Sequence, residues 1–382
     1  MNKKINARRI CFWQSVLSPH MATLAEEMKA LGYEVYYVIN EYISPERALL
    51  GWEIPGLENI TPEYCENSSE MKAYLDQLPL DTIHICQGFR GNGPIKGLRK
   101  ILDKRSLTYG VILESINTSG FFGFLRRLAY YKELRLSKYN FILASGKKTK
   151  TLLDSLNKIK SNCHYPFAYF VPRTEVIENK TSKTNKEKHS ILFVGKLIER
   201  KSIDTIFKAI SRMPIANRPI LRLVGTGEKE PELRELANSM GIDDISWAGS
   251  MGISAIQNEM SQSDLLVLPS KFDGWGVVTN EALLAGIPVI VSDHCGSSEL
   301  VVSPWVGETF KTDDDIDLQL KIIATINNNQ CLKNRKNEIV AYSRMIEPVS
   351  GAKYLNAILE STYLGYPCPI RPWLEYEFPE IN

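Results

Sequence analysis

Short apolar runs recur along the chain at residues 10–13, 35–39, 82–86, 110–115, 141–145, 191–195, 221–224, 245–249, 264–270 and 287–291. Their length and scarcity of charge predict strands covered on both faces. Between them, apolar residues recur at helical spacing, as at Met21, Leu24, Ala25 and Met28, and again at Leu233, Leu236 and Met240. Pro19 stands where a helix takes proline at its first position, and Gly32 stands where that helix closes. Residues 10–39 therefore read as a strand–loop–helix–strand unit, and the alternation predicts an α/β fold with parallel sheets.

The alternation breaks once. Residues 175–190 are lysine, threonine, serine, asparagine and glutamate almost throughout, the composition of an exposed hinge. The expected organisation is a first domain over 1–173, a linker over 174–190 and a second domain over 191–349. The last helical pattern, 349–363, and the proline-rich tail after it place 350–382 back on the first domain, partly in extended form.

Composition narrows the function classes. The chain of 382 residues is 44% hydrophobic and 24% charged, as a soluble globular protein is. A net charge of +2 gives no footprint for nucleic acid. Seven scattered cysteines without a CxxC pair, and no apolar core behind the basic start, point to reduced thiols in the cytoplasm. No run approaches the roughly 20 apolar residues of a membrane span.

The most informative stretch is 272–292. Asp273 and Glu281 enclose Gly274, Trp275, Gly276 and Val277 ahead of a short helix, and an uncharged strand follows. Glycines let a backbone approach a ligand, and the first amides of a helix favour an anion. Two carboxylates in such a loop suit sugar or ribose hydroxyls. An ordinary capped αβ unit would need neither both glycines nor the tryptophan. Upstream, Lys196, Arg200 and Lys201 follow a strand and a glycine and precede a helix, an arrangement suited to a diphosphate. The glycine turn at 225–227 is by itself a plain strand-to-helix turn.

In the first half, the rule that ligands lie beyond the carboxyl ends of parallel strands selects the loops 14–20, 87–92 and 114–119. GxGxxG is missing there, so the dinucleotide fingerprint is absent. Ser18, His20, Arg90 and Glu114 are the acceptor-side candidates. A capping role for His20 weighs equally with substrate contact, and His84, inside a strand, reads as a core histidine. Residues 120–138 set Phe121, Phe122, Phe124 and Leu125 beside Arg126, Arg127, Lys132, Arg135 and Lys138. That pattern fits peripheral contact with anionic lipid, or equally a helix with an apolar core face and a basic outer face.

Residues 191–302 resemble the family-4 retaining glycosyltransferases, whose architecture is two Rossmann-like domains facing each other across a cleft (GT-B). The resemblance rests on Val194-Gly195-Lys196 with Lys201-Ser202, on Leu223-Val224-Gly225-Thr226-Gly227, on Trp247-Ala248-Gly249, and on Asp273 to Glu281 read as the family's E-x7-E signature. It implies a nucleotide-sugar donor, no catalytic metal and no cofactor. It implies Lys196 and Lys201 on the diphosphate, and Asp273 with the amides of Gly274, Trp275, Gly276 and Val277 at the sugar and β-phosphate. Glu281 falls at the ribose, and Ser250 and Met251 fall beside the base. The chain departs from the pattern at Asp273, a methylene shorter than glutamate, at Lys196 in place of arginine, at Ser202 in place of glycine, and at Glu114 in place of a histidine.

The expectation is a retaining transferase acting on a saccharide or lipid-linked saccharide acceptor in surface polysaccharide assembly, such as capsule or lipopolysaccharide. It would sit in the cytoplasm, with or without peripheral contact at the inner face of the membrane. The rivals are a catalytically silent nucleotide-sugar binding protein, a nucleotide-sugar epimerase and a phosphorylase.

Overall fold

The computed structural model describes residues 8–43, 56–118, 120–173, 188–331 and 334–380. The chain divides into two compact units. The first runs through Pro172 and takes back Ile346–Glu375; the second holds Arg173–Met345 and the tail from Tyr376. The tail expected on the first unit is thus divided after Glu375. Most of the expected linker, 174–187, lies outside the described residues.

In the first unit, β1 (Arg9–Val16), β2 (Glu34–Glu41), β3 (Glu63–Tyr64), β4 (Ile83–Gln87), β5 (Tyr109–Leu113), β6 (Phe141–Ser145) and β7 (His164–Phe167) form one sheet. Its order is β3-β2-β1-β4-β5-β6-β7, parallel throughout. Ile10, Cys11, Phe12 and Trp13 of β1 are all fully buried, which explains why the run carries no charge. His84 in β4 is buried, and its Nδ1 accepts the Trp13 indole N–H at 3.2 Å. Burial pushes its imidazole down to about 3, so it is a neutral core acceptor rather than a base.

The C-terminal helix Pro348–Leu364 packs on the helix Pro19–Ala30. Tyr33 donates to Asn356 at 2.8 Å, and Tyr354 donates to the Pro166 carbonyl at 2.9 Å. A Cβ at Gly351 would stand 2.4 Å from the Phe170 ring, so glycine sets the depth of this contact. Trp373 is fully buried against Phe170 and Tyr354, with ring centroids 6.3 and 5.9 Å away.

In the second unit, β8 (Ser190–Val194), β9 (Ile220–Val224), β10 (Ile245–Gly249), β11 (Leu265–Leu268), β12 (Val289–Ser292) and β13 (Gly307–Phe310) form a parallel sheet in the order β10-β9-β8-β11-β12-β13. Both sheets wind outward from their first strand in one direction, then return and wind in the other. The order reverses between β1 and β4 in one unit and between β8 and β11 in the other. Such switch points open a crevice at the carboxyl ends of the strands.

Candidate functional site

The loops after β8 and β11 flank the crevice of the second unit. The β8 loop is fixed by the β9 turn. The Gly195 N–H donates to the Val224 carbonyl and the Leu197 N–H to that of Thr226, both at 2.9 Å. A Cβ at Gly225 would stand 1.9 Å from the Gly195 carbonyl oxygen, and one at Gly227 would stand 2.3 Å from that of Leu197. The turn is glycine because two backbones touch there. Lys196 lies between these two anchored residues.

The following 3-10 turn, Glu199–Lys201, meets the β11 loop residue by residue. Lys271 Nζ lies 2.6 Å from Glu199 Oε1, and the Lys271 N–H donates to the Arg200 carbonyl at 2.9 Å. Arg200 donates to the Phe272 carbonyl at 2.7 Å, and its guanidinium lies 3.5 Å from Asp273 Oδ1. Lys201 donates to Asp273 Oδ2. The Lys201 and Asp273 side chains are only 13% and 16% exposed, so water screens their charges weakly. Ser202 follows at φ 51°, ψ 44°. This is a left-handed conformation, which a glycine would adopt without strain.

Asp273 is also held through its backbone. Its N–H donates to the His294 carbonyl at 3.3 Å, and its carbonyl accepts from Gly296 at 3.2 Å. Trp275 is buried at 2% exposure and donates its indole N–H to Asn280 at 2.7 Å. Its ring is therefore an anchor, and its carbonyl accepts from the Ser297 N–H at 2.8 Å. Gly276 has φ +93°, and a Cβ there would stand 2.6 Å from Leu268. Val277 precedes the helix Val278–Leu284, which carries Glu281 in its first turn. Among the described residues the Glu281 carboxyl has no hydrogen-bond or ion-pair partner, and burial pushes it up to about 7. Ser250 follows β10, with its hydroxyl 3.2 Å from that of Thr226, and Met251 is next to it. Every donor-side candidate thus lies on the loops or first helical turns beyond the carboxyl ends of β8, β10 and β11.

In the first unit, three of the four acceptor candidates meet through a residue that sequence reasoning missed. Ser18 Oγ is 3.4 Å from His20 Nε2. The His20 ring stacks on Tyr169, with centroids 4.1 Å apart and planes at 26°. The Tyr169 hydroxyl donates to Glu114 Oε1. The aromatic segment between Pro166 and Pro172 was visible in the sequence, but its reach from beyond β7 to β5 was not. Arg90 lines a groove with Phe122, Leu125 and Arg126.

Residues 174–344 match the family model for glycosyl transferases group 1. An uncharacterized glycosyltransferase of Methanocaldococcus jannaschii is 26% identical over 234 residues, 56% of this chain and 59% of the relative. The lipopolysaccharide glucosyltransferase WaaG of Escherichia coli K12 is 26% identical over 138 residues, 36% of this chain and 37% of its own. The match thus spans less than two thirds of the length of these relatives. Among solved structures, Anabaena HepE in complex with UDP superposes with a TM-score of 0.68 at 16% identity, covering 92% of this chain and 100% of its own. At that identity the likeness is one of fold, and the fold is GT-B, with two parallel-sheet α/β units.

Proposed function

We propose that this chain, with its group 1 segment at 174–344, moves a sugar from a nucleotide-sugar donor to a saccharide acceptor, retaining the anomeric configuration. The observation that carries the reading is the meeting of Lys201 and Asp273 at the switch point between β8 and β11. A nucleoside diphosphate leaving group gathers negative charge as its bond to the sugar breaks. Lys201, weakly screened and aimed by Asp273 and the stapled loops, offsets that charge without moving. Lys196 adds a second cation in the same loop. The amides from Gly274 to Val277 face the β-phosphate and sugar, and Asp273 takes sugar hydroxyls. The unpartnered Glu281 carboxylate accepts from the ribose hydroxyls, and Ser250 and Met251 border the base. Ser18, His20 and Glu114, ordered by Tyr169, offer polar groups to the acceptor. In this reading lysines supply the countercharge and turnover needs no metal.

Calorimetric titration with UDP, GDP and ADP tests the donor site, with UDP first because HepE holds it. One nucleotide should bind, and Lys201→Ala should weaken it by about 10- to 100-fold, the worth of a charge-assisted hydrogen bond. Asp273→Ala should keep nucleotide binding and lose turnover; retained turnover in that variant removes its role. A chain that binds none of the three, and releases no nucleoside diphosphate from any common nucleotide-sugar, is not this enzyme.

A further inference from the structure

We propose that the outward face of the helix Gly120–Leu136 docks on a bilayer containing anionic lipid. At 100° per residue, Phe121, Phe124, Leu125 and Leu128 fall within an arc of about 100° on one side of the helix, with Phe122 next to it. In a helix covering its own domain this stripe would face the core. Here Phe121 is 72%, Phe122 70% and Phe124 56% exposed. The opposite side already fills the core position. Gly123 and Leu134 are buried, and Tyr130 meets Phe89 edge-on at 6.4 Å. A Cβ at Gly123 would stand 2.1 Å from the Thr118 backbone carbonyl carbon, so this side of the helix is closed by its own lead-in segment. The exposed stripe is therefore not a misplaced core face. It is apolar surface left over after the core is complete, and water penalises it.

The charges beside it identify the occupant. Arg126, Arg127, Lys132 and Arg135 are exposed on the same helix. Its one acid, Glu133, is turned inward onto the buried Arg99 at 3.2 Å. Lys138 follows, also exposed. A groove of about 440 Å³ runs beside the stripe, with an apolar lining of Phe122, Leu125 and Tyr130 and with Arg90 and Arg126 among its lining residues. Exposed phenylalanines flanked by cations match the acyl boundary and anionic headgroups of a membrane surface. An apolar protein partner would not require the cations, and a second copy of this helix would repel them. No helix among the described residues is long and apolar enough to cross a membrane, so contact through this helix is peripheral. The inference extends the glycosyltransferase reading to where the acceptor would be met, but the binding it describes needs no donor.

Sedimentation of the full chain with phosphatidylglycerol–phosphatidylcholine vesicles, and with phosphatidylcholine alone, tests it. Binding is expected to the anionic vesicles only, with a fall of about tenfold or more in 0.5 M salt. Phe121→Ser with Phe124→Ser, and separately Arg126→Glu with Arg127→Glu, should each lower the partition coefficient by about tenfold or more. Both variants should melt with the parent, since the changed side chains are exposed. No vesicle binding, equal binding to both compositions, or variants that bind as the parent does would overturn the proposal. So would a dimer in sedimentation velocity that Phe121→Ser disperses, because then a second copy covers the face. Nucleotide titration on the same samples reports separately on the donor site.

Discussion

Glu281 shows how much one side chain can carry. Its carboxyl is raised to about 7 from an ordinary 4.5 by burial alone, so folding disfavours its ionised form. The linked stability is full below about pH 4.5 and is lost as pH rises toward 7. Glu281→Gln should therefore melt with the parent at pH 4 and above it at pH 8, by about 3–6 °C, since partial exposure reduces the full linkage to about 1–2 kcal/mol. Nucleotide affinity should move the opposite way. In the parent it should rise through pH 7 as the carboxylate forms, and in the variant it should stay flat. A flat profile in the parent would separate Glu281 from the ribose. Legibility in sequence differed at this scale. Asp273 and Glu281 stood out because glycines and a tryptophan in one loop are expensive to keep without a reason. Tyr169 did not, because nothing local says that a residue after β7 reaches Glu114. The sequence also could not show that the Trp275 ring turns inward to Asn280.

Elements were legible wherever burial wrote a period into the chain. The strands with apolar runs appear where the runs predict them. Glu63–Tyr64, an exposed edge strand, carries no such run and was invisible. The helix at 120–136 was readable as a helix, but the face it turns inward was set by contacts with residues far back in the chain, Tyr130 on Phe89 and Glu133 on Arg99, a tertiary fact. The helix Arg335–Ser343 depends on a similar one. Arg335 is buried and donates to the carbonyls of Pro304, Trp305 and Thr325 at 2.7, 2.8 and 3.0 Å. Burial lowers its guanidinium to about 10, so it stays charged at neutral pH. Arg335→Met should cost about 3–5 kcal/mol, because three buried carbonyls lose their donor together. Urea unfolding followed by far-ultraviolet circular dichroism measures this, and a loss under 1 kcal/mol would mean that water replaces the guanidinium.

The whole molecule is two windings of one topology, and each unit is assembled from separated parts of the chain. The division after Pro172 has a local signature in the polar run that follows. The second crossing after Glu375 has none, because it depends on which aromatic surface the tail finds. Phe170 and Tyr354 hold Trp373 in the first unit. Beyond the crossing, Trp305 donates to the Pro379 carbonyl at 2.9 Å in the second. Trp373→Ala should remove about 3–5 kcal/mol from the first unit. In calorimetry the transition of that unit should fall while nucleotide binding by the second persists; loss of both together would show one cooperative body. The split ownership also sets an order of birth. On the ribosome, residues 8–172 emerge before the second unit but lack the helix and the indole that close their core. The second unit receives nearly all of its residues before that helix appears. The segment made first should therefore be finished late, waiting on chaperones or on its own partial collapse while its neighbour folds.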